Sequence, residues 1–257
     1  MRAPAPPLAA VAASLLLASC GGGDGAGPAP PQGPPAARHP ASDLAAAQTG
    51  EEMRAQLLVA TKLYGNGRYG FAAAHLGTAR RQYATITAAV RRRNPALDRE
   101  FHAAFGVIAG EIAQRAPAPA VANRIGLVQG QLLDAAIPGS MSKAAFRDPG
   151  VTAQVMSRLA ARGDLAYAAA ARDGYSDRGR REYQDAFGLI ARAASVARRM
   201  GASLGPQGGR ITGGLGDARN DGFATGVLVP RRLRPVAVAA DVRRAQAAIS
   251  ERFGFAT

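Results

Sequence analysis

The feature that most constrains the fold is the spacing of the apolar residues between positions 69 and 90. They recur at alternating intervals of three and four, which places them on one face of an α-helix. This apolar face consists of Tyr69, Ala72, Leu76, Ala79, Tyr83, Ile86 and Val90. The pattern stops at Asn94-Pro95, since proline disfavours the α conformation in the residue before it. A long amphipathic helix is predicted, and such a helix needs partner helices to cover its apolar face.

Similar patterns predict helices on both sides of this one, separated by proline and glycine. The predicted segments are 51–64, 97–112, 121–135, 151–162, 165–172, 180–200 and 238–253. Alanine dominates the apolar residues and tryptophan is absent, so we expect closely packed helices with small side chains. The predicted fold class is all-α, an antiparallel helical bundle over residues 43–200 with a C-terminal helix over 237–257.

Residues 201–236 interrupt the helical pattern. Nine glycines occur among the first 26 of these residues, without the lysine and serine or threonine that complete a phosphate-binding P-loop. We therefore expect a mobile glycine-rich loop before the last helix, with Val227-Leu228-Val229 as a candidate short strand. A glycine-rich nest for an anion is the less favoured alternative.

The first nineteen residues have the features of an export signal. Arg2 precedes the apolar segment 8–19, which is too short to span a bilayer. Leu17-Ala18-Ser19-Cys20 resembles the lipobox of bacterial lipoproteins, and Cys20 is the only cysteine. The resemblance implies cleavage before Cys20 and acylation of its thiol, with membrane lipid as partner. The implied location is the outer membrane or the outer leaflet of the cytoplasmic membrane. The alternatives are an ordinary secretory signal with an incidental cysteine and a short buried core helix.

Residues 20–42 are predicted to be a disordered linker. Glycine, proline and alanine dominate this stretch, so it cannot bury enough apolar surface to offset the entropy of ordering the chain. His39 is expected to be solvated there, and the folded part is expected to begin near Asp43. A lone cysteine allows no intramolecular disulfide, so the core must supply the stability.

Two stretches of the chain echo each other. "REFHAAFGVIA" at 99–109 and "REYQDAFGLIA" at 181–191 share seven of eleven residues. The echo suggests a duplicated helical unit, with Glu100 and Glu182 at equivalent helix starts, where a carboxylate favours the helix dipole. Coincidence between two alanine-rich helices is the alternative.

The formal net charge is +14, and 30 of the 32 basic residues are arginine. The arginines cluster near predicted helix ends, where some favour the helix dipole. We predict that the others contact an anionic envelope surface, with these residues as candidates: Arg91, Arg92, Arg93, Arg231, Arg232 and Arg234. Nucleic acid is not an expected partner, because aromatic stacking platforms are scarce and the chain is predicted to be exported.

No catalytic motif stands out. The chain has no GxSxG or SxxK sequence, so no catalytic residue and no cofactor are predicted. Weak metal-ligand candidates are His75, His102 and Asp98, the last two at a spacing that allows a carboxylate–imidazole pair. For each histidine, an ordinary core or surface role is the favoured interpretation.

A second resemblance covers residues 50–115 and, through the echo, extends to residues 150–195. It rests on Tyr64, Gly67-Arg68-Tyr69, Ala74-His75-Leu76, Tyr83, Ile86, Val90, Asn94-Pro95-Ala96-Leu97, Glu100 and Phe105. This pattern loosely resembles the helical extracytoplasmic domain that accompanies bacterial oxidase-dependent iron permeases. The iron-carrying motifs of related uptake proteins are missing, so the resemblance implies metal handling only as an alternative.

The sequence thus predicts a lipid-anchored envelope lipoprotein, a non-enzymatic helical binding or structural module with a basic surface. The first alternative is an accessory lipoprotein for metal uptake, and the second is an envelope hydrolase with an unrecognised site. The protein partner is not predicted.

Overall fold

The computed structural model describes residues 39–230 and 232–255. Ten α-helices and no strand occur in these residues, which confirms the all-α prediction. The helices are α1 (Ala41–Gly65), α2 (Tyr69–Arg93), α3 (Pro95–Ala113), α4 (Ala118–Leu127), α5 (Leu133–Ser140), α6 (Lys143–Arg147), α7 (Pro149–Asp173), α8 (Asp177–Met200), α9 (Gly208–Gly222) and α10 (Pro235–Phe253). A π-helical segment, Val128–Leu132, joins α4 to α5, and a 3₁₀ segment, Gly201–Gln207, joins α8 to α9.

Six of these helices, α1, α2, α7, α8, α9 and α10, form an antiparallel bundle, with α3, α4 and α5 packed against α1 and α2. At the end that we call basal, the Ser142 hydroxyl donates to Asp43 at the start of α1. At the opposite, distal end, the Tyr175 hydroxyl after α7 donates to the carbonyl of Pro230. Helices of 25 residues such as α7 are about 37 Å long, which sets the separation of the two ends.

The described chain starts at the basal end. His39 Nε2 lies 2.7 Å from Asp148 Oδ2, and the imidazole is only 14% exposed. The prediction of a solvated His39 is therefore wrong, because the carboxylate before α7 draws the ring onto the bundle. Helix α1 begins at Ala41, just inside the predicted linker.

Small residues bring α1 and α8 into close contact, as the composition predicted. A Cβ at Gly188 would lie 2.7 Å from Val59 Cγ2 and 2.9 Å from the Ala55 carbonyl oxygen. The equivalent glycine of the echo, Gly106 on α3, faces open space. The same sequence pattern therefore serves two different packing environments.

The similarity between the two copies of the echo includes the buried face of each helix, but it does not include the helix that precedes each copy. Both copies bury the same apolar positions, which are Phe101, Phe105 and Ile108 in α3 and Tyr183, Phe187 and Ile190 in α8. Tyr83 precedes the first copy by the same number of residues as Leu165 precedes the second. Tyr83 is buried on α2, whereas Leu165 is 69% exposed on α7. The packing of α3 on α2 is therefore not repeated by α8 on α7.

The prediction of a loop over residues 201–236 is wrong for residues 201–222, which are helical. Helix α9 buries Ile211, Leu215 and Ala218 at helical spacing. It also lies so close to α10 that a Cβ at Gly214 would come within 3.0 Å of the Asp241 carbonyl oxygen. Glycine here permits close helix contact, and that contact offsets its poor helix propensity.

The remaining loop, residues 223–234, is held by three tyrosines. The Tyr183 hydroxyl donates to the Gly226 carbonyl at 3.0 Å, and the Tyr167 hydroxyl accepts from the Arg234 amide at 3.2 Å. Tyr175 completes the set through its bond to Pro230, at 2.7 Å. The strand proposed for residues 227–229 is wrong: these residues form a turn and a bend, and Val227 is buried against the bundle.

Candidate functional site

Two of the predicted site residues, Cys20 and Arg231, lie outside the described residues, as do the signal segment and most of the linker. The other candidates fall in three places. His75 lies in the core, Asp98 and His102 lie on α3, and the remaining arginines are divided between the two ends of the bundle.

His75 is held between glutamines from α1 and α8. Its Nδ1 lies 2.7 Å from Gln56 Oε1, and its Nε2 lies 3.0 Å from Gln184 Oε1. Gln56 Nε2 donates to Asp185 Oδ1 at 2.8 Å, so the Gln56 oxygen must face the ring and accept the Nδ1–H bond. His75 therefore carries its proton on Nδ1 in the neutral state.

Burial lowers the pKa of His75, although the nearby Asp185 carboxylate opposes the shift. A neutral ring presents a lone pair at Nε2, which requires the amide nitrogen of Gln184 as donor. The two ends of a glutamine amide are assigned from such networks, and this network favours the nitrogen facing His75. Both ring nitrogens are then satisfied by the protein itself, as the favoured core interpretation predicted.

Both carboxylate oxygens of Asp98 also accept hydrogen bonds within the bundle. Its Oδ1 accepts from the Tyr83 hydroxyl at 2.9 Å, and its Oδ2 accepts from Arg91 Nε at 2.8 Å. Burial alone would raise the pKa of Asp98, but these two hydrogen bonds outweigh it and hold the pKa below its usual value. His102 Nε2 lies 3.5 Å from Asp98 Oδ1. The predicted carboxylate–imidazole pair is therefore present.

The three metal-ligand candidates do not converge. His75 precedes Tyr83, the partner of Asp98, by eight residues on α2, or about 12 Å along the helix. In the part of the chain that the structure describes, no three histidine, cysteine or acidic side chains are grouped as a metal would need. His75 and Asp98 instead bind other side chains of the bundle.

The two predicted arginine clusters lie at opposite ends of the molecule. Arg91, Arg92 and Arg93 end α2 at the basal end, whereas Arg232 and Arg234 precede α10 at the distal end. They therefore do not form one patch. Arg234 is further drawn toward Asp221, at 3.8 Å, and Arg91 is paired with Asp98.

The basal end carries several exposed cations and an exposed aromatic ring. Arg93 donates to the carbonyls of Gly139 and Met141, which fixes it beside the turn before α6. Phe146 on α6 is 52% exposed. We call the following residues the basal surface: Arg92, Arg93, Lys143, Phe146, Arg147 and Arg198. Among the described residues, none of its cations has a carboxylate oxygen within 4.0 Å.

The distal end carries a cleft of about 290 Å³ between α2, α8 and the loop 223–234. Arg68 and Arg180 line it together with Tyr175 and Phe71. The side chains of Leu228, Val229 and Gln184 complete the wall. No described acidic residue lines this cleft, so it combines two guanidinium groups with an apolar wall.

Sequence reasoning missed the cleft because its arginines are more than one hundred residues apart and only the fold joins them. Phe146 was also missed, although an aromatic ring between Lys143 and Arg147 is a local signal that an amphipathic surface pattern would have found.

Comparison with known proteins gives no match to a family model, to a curated protein or to a solved structure. None of the described helices combines the length and the apolar character needed to cross a membrane.

Proposed function

We propose that the protein is a lipid-anchored, non-enzymatic binding module of a bacterial cell envelope, held by acyl chains on Cys20 and resting on anionic lipid through its basal surface. The observation that carries the proposal is the sequence Leu17-Ala18-Ser19-Cys20 at the end of a short apolar segment. Each buried methylene of an acyl chain contributes about 0.8 kcal/mol, so two or more chains hold a protein firmly.

The position of His39 supports the proposal that the basal end is the one that faces the lipid. Eighteen residues lie between Cys20 and His39, and a fully flexible chain of that length would span about 25 Å on average. The bundle itself is about 37 Å long. We therefore expect an anchor at Cys20 to keep the basal end, where the described chain starts, closer to the lipid than the distal end.

The composition of the basal surface supports anionic lipid as its partner. Its five cations have no carboxylate partner among the described residues, and each basic residue near an anionic membrane contributes about 1 kcal/mol. Phe146 adds an exposed ring that can enter the boundary between headgroups and acyl chains. The attraction falls with salt, because the Debye length shortens from about 30 Å at 0.01 M to 3 Å at 1 M.

The anchor is tested by metabolic labelling with an alkyne-bearing palmitate. The parent chain should incorporate the label, and Cys20→Ser should not. The double variant Cys20→Ser/Ser42→Cys restores one thiol outside the lipobox and should stay unlabelled. Equal labelling of the parent and Cys20→Ser, or labelling of the double variant, would overturn the anchor.

The basal surface is tested separately, on the full Cys20→Ser chain, with vesicles of phosphatidylglycerol and phosphatidylcholine. The variant Arg92→Gln/Lys143→Gln/Arg147→Gln should bind at least about tenfold more weakly, since about 1 kcal/mol is lost per cation. A matched distal variant, Arg172→Gln/Arg219→Gln/Arg232→Gln, removes the same charge and should bind nearly as well as the parent. Equal losses in the two variants would contradict a basal contact.

A further inference from the structure

The distal cleft brings together two arginines whose charges are largely unpaired. Arg180 has one weak partner, Asp177, whose Oδ1 lies 3.6 Å from the guanidinium and whose side chain is 75% exposed. Arg68 has no carboxylate oxygen within 4.0 Å among the described residues. Two like charges in one concave site repel each other, so an anion that enters between them is favoured.

The walls of the cleft are built by the fold and do not need to form on binding. The Arg68 backbone amide donates to the Leu63 carbonyl at 2.9 Å, just after Gly67 in a left-handed conformation with φ of 70°. On the other side, Tyr175 and Tyr183 hold the loop that carries Leu228 and Val229. A site that is ordered before binding loses less entropy when its ligand arrives.

The chemistry of the lining limits the ligand. Guanidinium groups bind phosphate through paired, charge-assisted hydrogen bonds, and a phosphate monoester carries about −1.5 to −2 charges at neutral pH. This charge matches the two arginines. The rings of Tyr175 and Phe71 and the side chain of Leu228 offer an apolar surface for a compact body attached to the phosphate.

From this geometry we propose that the distal cleft binds a small soluble phosphate monoester, with Arg68 and Arg180 holding the phosphate and Tyr175 contacting the organic body. The proposal does not depend on the lipid anchor. It assigns the ligand site to the end of the bundle opposite the basal surface.

The experiment titrates the full chain, purified in a non-ionic detergent, with phenyl phosphate by isothermal titration calorimetry at pH 8. We expect one saturable site with a dissociation constant below about 1 mM. Arg68→Gln and Arg180→Gln should each weaken binding by about tenfold or more, because each removes a charge-assisted hydrogen bond. Arg80→Gln removes the same charge from an exposed position further along α2 and should bind like the parent.

Two further measurements sharpen the result. Phenol, which lacks the phosphate, should show no saturable binding, and inorganic phosphate should bind more weakly than phenyl phosphate. Arg68→Lys and Arg180→Lys keep the charge but lose the paired hydrogen bonds, so they should weaken binding without altering the melting curve. The proposal is overturned if the parent shows no saturable binding, if Arg80→Gln weakens it as much as Arg68→Gln, or if phenol binds equally well.

Discussion

Two buried polar side chains of this bundle, His75 and Asp98, have hydrogen-bond partners on other helices. His75 is satisfied by Gln56 and Gln184, and Asp98 is satisfied by Tyr83 and Arg91. A buried polar group that lost its partner would cost about 1–3 kcal/mol. At the residue scale, two of the three metal-ligand candidates of the sequence therefore have hydrogen-bond partners within the bundle.

The lowered pKa of His75 predicts a pH dependence of stability. An unfolded histidine has a pKa of about 6.5, whereas burial places the folded value lower. As the pH falls below about 6.5, the unfolded chain takes up a proton that the folded chain refuses, so the free energy of unfolding decreases. The contribution of neutral His75 is complete above that pH and is lost as the pH falls toward the folded pKa.

Urea unfolding between pH 7.5 and 5.5 measures this effect. The parent should lose stability over that range, and His75→Gln should show a flatter dependence. Arg80→Gln is the control, because Arg80 is exposed on the same helix and an arginine side chain does not titrate in this pH range. This variant should keep the slope of the parent. Identical slopes for the parent and His75→Gln would show that His75 does not couple folding to pH.

At the scale of the elements, the sequence predicted α2 almost to its last turn, since the apolar face ends at Val90 and the helix ends at Arg93. The apolar periodicity and the proline that ends the helix are both local properties, so they can be read directly from the sequence. The sequence does not predict helix α9, because a high glycine content is typical of flexible loops. Only the contact of Gly214 with α10 shows why glycine is used there, and no local pattern contains that contact.

The same limit applies to the candidate sites. The echo could be found from the sequence, but its two glycines have opposite environments that depend on neighbouring helices. The distal cleft likewise depends on Arg68 and Arg180 meeting across the bundle. Residue type and spacing therefore predicted most of the helices, but not α9 or the continuity of α7 through Gly163, and they did not predict the clefts between the helices.

The two glycines give a matched prediction. Gly188→Ala should destabilise the protein by about 1–3 kcal/mol, because the new methyl group would overlap Val59 and the Ala55 carbonyl oxygen. Gly106→Ala should stabilise it by about 0.5–1 kcal/mol, since alanine favours the helix and meets nothing within 4 Å. Chemical unfolding of both variants measures the difference, and a shared sign would contradict the packing described for α8.

At the scale of the whole molecule, the dominant electrostatic feature is the excess of positive over negative charge. The net charge of +14 places excess cations at both ends of the bundle, while many of the ion pairs involve exposed side chains. Exposed pairs contribute about 0–1 kcal/mol each, so screening them costs little. The stability gained when salt screens the net repulsion should therefore exceed the stability lost when salt screens the ion pairs.

We predict that raising the salt from 20 to 300 mM increases the melting temperature by a few degrees, as followed by circular dichroism. The variant Arg80→Glu/Arg219→Glu lowers the net charge by four and should show a smaller increase. A melting temperature that falls with salt would mean that the ion pairs outweigh the repulsion.

The even number of long antiparallel helices has a practical consequence. Because α1 starts and α10 finishes at the basal end, a fluorescent protein fused beyond α10 would be attached at the same end of the bundle as the start of α1. If the basal surface rests on lipid as proposed, such a fusion would lie next to the bilayer. A probe meant to sample the open space above the membrane belongs instead in the turn between α1 and α2, near Asn66.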